Sequence, residues 1–150
     1  MAVTTFAIRG PHQQIAAADE RERFTLLLFD TLWERYRERV THVSTYEQLI
    51  ARAGATFVND HIAFRTFACQ RPLTGIASIS RIFETLGYRP AGCYNFDDKS
   101  LTAVHYEHRN REFPKLFISE LRVWELSNSS QLFITREESE HRDTIATAAL

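Results

Sequence analysis

Cysteine is almost absent from this sequence: its 150 residues include only Cys69 and Cys93. They have no CxxC spacing, so neither a disulfide framework nor a zinc knuckle is expected, and a reducing cytoplasm is the simplest compartment. No apolar run approaches the ~18 residues that a bilayer span requires. Residues 1–10 lack the basic start and long apolar core of a secretory signal. An excess of either charge is also missing: 18 basic residues stand against 19 acidic ones, a formal net charge of -1. That balance argues against nucleic acid or an anionic membrane as the main partner. Nor is there a glycine-rich phosphate loop, a nucleophile elbow or an HExxH motif. These absences leave a soluble cytoplasmic domain as the expectation.

What is present fits a globular protein. Hydrophobic residues make up 44% and charged residues 25%, and the length suits one domain over 1–150 with a real core. Residues 1–18 show little pattern and read as a loose arm. From Asp19 to Val40, Phe24, Leu27, Leu28, Thr31, Leu32 and Tyr36 recur at helical spacing among charged residues, which predicts an amphipathic helix. Ser44-Thr45-Tyr46-Glu47 has the capping-box pattern and Gly54 a helix-stop position, so a short helix is expected over 45–53. A strand is expected near 57–67. A helix over 76–86 follows, with the stripe Ile76, Ile79, Ile82, Phe83 and Leu86 and a stop at Gly87. Three further strands are predicted: Tyr88 to Phe96 (broken by Pro90 and Gly92), Leu101 to His108, and Lys115 to Val123. Ser127 or Asn128 would cap a last helix, with a frayed tail to Leu150. The predicted class is α+β: N-terminal helices (19–55) on a β-α-β-β-β half-module (56–125), then a C-terminal helix and tail (126–150).

The strand Asn59-Asp60-His61-Ile62-Ala63-Phe64-Arg65-Thr66-Phe67 carries the strongest chemical signal. Alternation places Asn59, His61, Ala63, Arg65 and Phe67 on one face, and Asp60, Ile62, Phe64 and Thr66 on the other. An imidazole and a guanidinium roughly 13 Å apart along an extended chain make a poor plain core. They make a good site with a metal at one end and an anionic tail at the other. Elsewhere, His105 and Glu107 also share a strand face, which reads as an exposed surface. His12, His42 and His141 read as surface residues, and the two cysteines as buried or loop thiols.

The β-α-β-β-β order is the unit of the vicinal-oxygen-chelate architecture, in which two modules form a curved sheet around a metal. The chain also resembles the 2-oxoadipate dioxygenase/decarboxylase (2-hydroxyglutarate synthase) family over roughly 24–135. The resemblance rests on Thr45-Tyr46-Glu47-Gln48-Leu49, the 59–67 strand, Phe83-Glu84-Thr85-Leu86-Gly87-Tyr88, and Pro114-Lys115-Leu116-Phe117-Ile118-Ser119-Glu120-Leu121. It implies an Fe(II) enzyme that uses O2 to decarboxylate and hydroxylate a 2-oxo diacid in lysine breakdown. In the family the histidine of this strand binds iron and its arginine binds substrate, roles that transfer to His61 and Arg65. Neutral imidazole suits Fe(II), and a guanidinium clamps a carboxylate through two hydrogen bonds.

Members of the family are usually much longer, and their second histidine and glutamate ligands lie in a second module. This sequence therefore reads as about half a site. Either it is a shortened form, or two copies pair as a homodimer that shares one sheet. In a shared site, Glu120, on the face of Leu116 and Ile118, would be the carboxylate to consider. The competing reading is a non-catalytic α+β half-module that dimerises or binds a small anion.

Overall fold

A computed structural model of the protein describes residues 10–69 and 74–139. The chain groups into two compact units, 1–60 and 61–150.

The first unit contains helix α1 (Glu20–Arg39) and helix α2 (Thr41–Arg52). Asp19 caps α1 by accepting a hydrogen bond from the Glu22 N–H, which satisfies one of the donors that every helix start leaves open. The buried stripe of α1 is displaced from the expected one. Glu22, Thr25, Leu26, Phe29 and Asp30 are buried, while Phe24, Leu27 and Tyr36 are exposed. Periodicity predicts the apolar face, but here polar residues with nearby partners occupy the interior. Helix α2 starts four residues before the expected 45. Ser44 Oγ donates back to the Thr41 carbonyl, and Glu47 accepts from Trp33 Nε1 at 2.8 Å, so neither side chain forms the expected box. Gly54 has a φ of 67°, as its stop position requires.

The arm is not loose at its described end. His12, expected at the surface, is buried, with Nδ1 2.7 Å from Asp30 Oδ1 and Nε2 3.0 Å from Asn59 Nδ2. The His12 backbone N–H donates to the same Asp30 oxygen. The rest of the expected arm, residues 1–9, lies outside the described residues.

The second unit is a four-stranded mixed sheet. Its strands are β1 (His61–Ala68), β2 (Tyr88–Phe96), β3 (Leu101–His108) and β4 (Lys115–Arg122), with helix α3 (Gly75–Thr85) between β1 and β2. The spatial order is β1-β4-β3-β2, parallel at β1/β4 and antiparallel elsewhere. Both β1 and β2 are therefore edge strands. The expected break in β2 is a bulge between Pro90 and Gly92. Helix α3 ends at the expected Gly87, whose φ is 101°. The last helix among the described residues, α4 (Asn128–Glu138), starts at Ser127, whose side chain accepts from the Ser130 N–H. Its predicted tail beyond 139, and residues 70–73 before α3, lie outside the described residues.

One face of the sheet is closed by α3. Phe64 packs on Phe83 at 5.4 Å between ring centres, and Phe83 meets the edge of Tyr88 at 6.0 Å. Leu116 and Ile118 from β4 are fully buried, each contributing about 1.5–3 kcal/mol by leaving water. Burial holds the Tyr88 phenol far above its ordinary titration range, and its hydroxyl donates to the Pro114 carbonyl at 2.8 Å. This core fixes the register of the opposite face.

Candidate functional site

The opposite face of the sheet is open. Along β1, His61, Ala63, Arg65 and Phe67 are exposed, while Ile62, Phe64 and Thr66 are partly buried. The predicted alternation thus holds, and the imidazole and guanidinium project from the same side of one strand. The parallel register sets His61 beside Lys115, Ala63 beside Phe117, Arg65 beside Ser119 and Phe67 beside Leu121. The antiparallel register continues the rows to His105 beside Phe117 and Ala103 beside Ser119. Small side chains line the floor next to Arg65: Ser119 and Ala103 are both buried. The open face therefore has a histidine row and an arginine row, with Phe117 on the row between them.

Glu120 does not join them. It pairs with Thr66 in the register, which puts it on the α3 side with Leu116 and Ile118. Its Oε2 accepts the Ile76 N–H at 2.9 Å, at the first turn of α3, where a carboxylate is favoured by unsatisfied donors and the helix dipole. The structure thus keeps Glu120 on the face expected for it, with Leu116 and Ile118, and gives it a structural partner there.

The fit to a metal is partial. His61 presents an imidazole on the open face, the donor type Fe(II) accepts. Among the described residues, no group of three or more histidine, cysteine, aspartate or glutamate side chains could hold a metal ion. His61 fits as one donor of a set whose others are not gathered in this unit.

One cluster that reads as an exposed strand surface in the sequence is brought by the fold to the same face. His105 Nδ1 lies 2.9 Å from the Tyr94 hydroxyl, and Lys115 Nζ lies 3.5 Å from Glu107 Oε1. The alternation of His105-Tyr106-Glu107 was visible, but the pairing that puts it beside β4 and β1 is non-local.

The sequence matches the profile of the 2-oxoadipate dioxygenase/decarboxylase family over residues 28–150. The chain belongs to this family. A curated relative, the 2-oxoadipate dioxygenase/decarboxylase, chloroplastic/amyloplastic, of Oryza sativa subsp. japonica, is 36% identical over 87 residues, covering 51% of this chain and 23% of the rice protein. The hydroxyglutarate synthase of Oryza sativa, solved in complex with 2-oxoadipate, superposes with a TM-score of 0.72 at 29% identity. That match covers 81% of this chain and 42% of the rice structure. A putative glyoxalase superfamily protein from Ralstonia eutropha JMP134 superposes with a TM-score of 0.77 at 26% identity, over 85% of this chain and 41% of that one. A putative hydrolase from Shewanella frigidimarina NCIMB 400 gives 0.70 at 35% identity, over 78% and 45%.

These neighbours bear out the predicted α+β class and its likeness to glyoxalase-type sheets. The chain spans about a quarter of the curated rice relative's length and less than half of each of these solved structures. Membership of the 2-oxoadipate dioxygenase/decarboxylase family does not carry the expected cytoplasmic location with it, because the rice relative is named for the chloroplast and amyloplast. Among the described residues, no helix is long and apolar enough to cross a membrane.

Proposed function

We propose that this chain supplies one half of an Fe(II)-dependent 2-oxo acid dioxygenase/decarboxylase site. The substrate would be a 2-oxo diacid of the 2-oxoadipate type, converted to 2-hydroxyglutarate in lysine breakdown. The observation that carries the reading is the placement of His61 and Arg65 on the same open face of β1, in a chain of this family. His61 would hold the metal through a ring nitrogen. Arg65 would receive the distal carboxylate through its planar two-point fork. Fe(II), when bound, would supply the O2 chemistry of oxidative decarboxylation. The protein's own part is to fix the ends of the diacid and, with Phe117 between the two rows, to give its methylene chain an apolar surface.

The lack of a complete donor set among the described residues favours a site shared with a second module, and a second copy of this chain is the partner we propose. An open sheet face with Phe67 and Tyr94 exposed, next to the edge strand β1, supports such pairing. If a second copy cannot complete the site, the chain is a non-catalytic anion-binding half-module.

Metal content and mass decide between these. Wild-type protein is expected to sediment as a dimer at micromolar concentration and to bind Fe(II), or Mn(II) in its place. His61→Ala should lose the metal while keeping the same thermal unfolding profile. Unchanged metal content in the variant would remove His61 from the site. A metal-free monomer would leave only the anion-binding reading.

A further inference from the structure

The open face carries a third group able to meet a ligand. His105 stands on the row Ala63–Phe117–His105–Gly92, between the rows of His61 and Arg65. At about 4.8 Å between neighbouring strands, it lies roughly 10 Å across the sheet from β1. Its pose is built by the local sequence. The Tyr94 hydroxyl lies 2.9 Å from Nδ1, and the two rings pack at 5.7 Å between centres. Directly opposite is Gly92, where an added Cβ would sit 2.8 Å from Cε1 and 2.9 Å from Nδ1 of His105. Such contacts are closer than real Cβ atoms adopt, so only glycine leaves room for the ring in this position.

The two ring nitrogens face different ends of the site. Tyr94 lies in the Arg65 row, because it pairs with Ala103, which pairs with Ser119. Glu107, held 3.5 Å from Lys115 Nζ, lies in the His61 row. Nδ1 is engaged by Tyr94, and Nε2 turns toward Glu107 at 3.7 Å. That separation exceeds the ~3.2 Å reach of an N–H···O hydrogen bond. We infer that the Tyr94 O–H is the donor to Nδ1, which puts the ring proton on Nε2, a donor aimed at the His61 end of the face.

We propose that His105 is a ligand-binding residue of this site, its Nε2–H donating to an oxygen of the keto-acid head while the tail reaches Arg65. The proposal rests on the function proposed above and adds to it a residue that reads the part common to all 2-oxo acids. Arg65, by contrast, reads only the distal carboxylate of a diacid. The two residues therefore leave different signatures.

Calorimetric titration with Mn(II) present, using 2-oxoadipate and the monocarboxylic 2-oxobutyrate, separates them. His105→Ala should weaken both acids by about tenfold, as for loss of a hydrogen bond to a charged group. Gly92→Ala, which displaces the ring, should reproduce that loss. His105→Gln carries an amide N–H near the place of Nε2–H and should restore most of the affinity. Arg65→Lys should weaken the diacid and leave the monoacid unchanged. In the wild type, nitrogen NMR of the His105 ring should show the Nε2-protonated form and a shift on addition of either acid, a readout that needs no variant to fold. If His105→Ala binds both acids as the wild type does, while Arg65→Lys stays selective, the His105 assignment is overturned and the functional reading stands. If the wild type binds neither acid, both are overturned.

Discussion

The interior of the helical unit is built largely on paired polar groups, whereas the interior that α3 covers in the sheet unit is built mainly on apolar ones. In the first, Glu22, Thr25, Asp30 and His12 are at most 2% exposed, and each has a close partner. Glu22 accepts the Ala18 N–H at 2.8 Å, Thr25 donates to the Arg21 carbonyl at 2.8 Å, and Asp30 and His12 bond each other. In the second, the interior under α3 is dominated by Phe83, Tyr88, Leu116 and Ile118, and His61, Arg65, Lys115 and Glu107 stand on the open face. The lesson is about histidine. His12 is buried between its partners, whereas His61 is exposed and His105 partly exposed on the open face, and burial rather than residue type separates the two cases.

If the comparison is right, the sheet unit should be most sensitive on its covered face. Ile118 is fully buried between its strand neighbours and α3. Ile118→Ala removes its buried methyl groups and leaves a cavity, so a loss of about 2–5 kcal/mol is expected in denaturant unfolding. A loss no greater than that of a substitution at exposed Ala63 would break the contrast between the two faces.

Glu120 sharpens the contrast because it is the one carboxylate of β4 on the covered side. Glu120→Ala takes away the acceptor of the Ile76 N–H. A cost of about 1–2 kcal/mol is expected, comparable to loss of a helix cap, with no change in metal content. Loss of metal with unchanged stability would return Glu120 to the site.

Much of this was legible from the sequence where the signals are local. The bulge at Pro90/Gly92, the helix stops at Gly54 and Gly87, and the two faces of β1 follow from one residue's φ preference or from a period of two. The face of α1 was misread because periodicity equates apolar with buried, and here Glu22, Thr25 and Asp30 take the interior by pairing. The partner of Glu120 is 44 residues earlier in the chain, and the row that brings His105 toward β1 depends on two strand registers. No local pattern contains either. His12 was misread for the same reason, since Asp30 and Asn59 reach it from distant positions.

The smallest effect expected is a pH dependence that belongs to the helical unit. Burial pushes the His12 imidazole below its ordinary pKa of 6.5, with Asp30 acting in the opposite direction through its hydrogen bond and its charge. In the fold the neutral ring donates from Nδ1 to Asp30 and accepts from Asn59 at Nε2. In the unfolded chain the same ring takes up a proton near pH 6.5. Below that pH the unfolded state binds more protons, so stability falls with falling pH until the folded-state pKa is passed, and is fully restored above about pH 6.5. The other five histidines of the chain make a single curve ambiguous, so the quantity to read is the difference between wild type and His12→Gln. Urea unfolding of both, from pH 7.5 to 5, should show the gap between them narrowing as the pH falls, because the variant has no proton to gain at this position. A gap that is constant across the range would mean that His12 titrates alike in both states, and the view of a neutral histidine locked into the helical unit would fail.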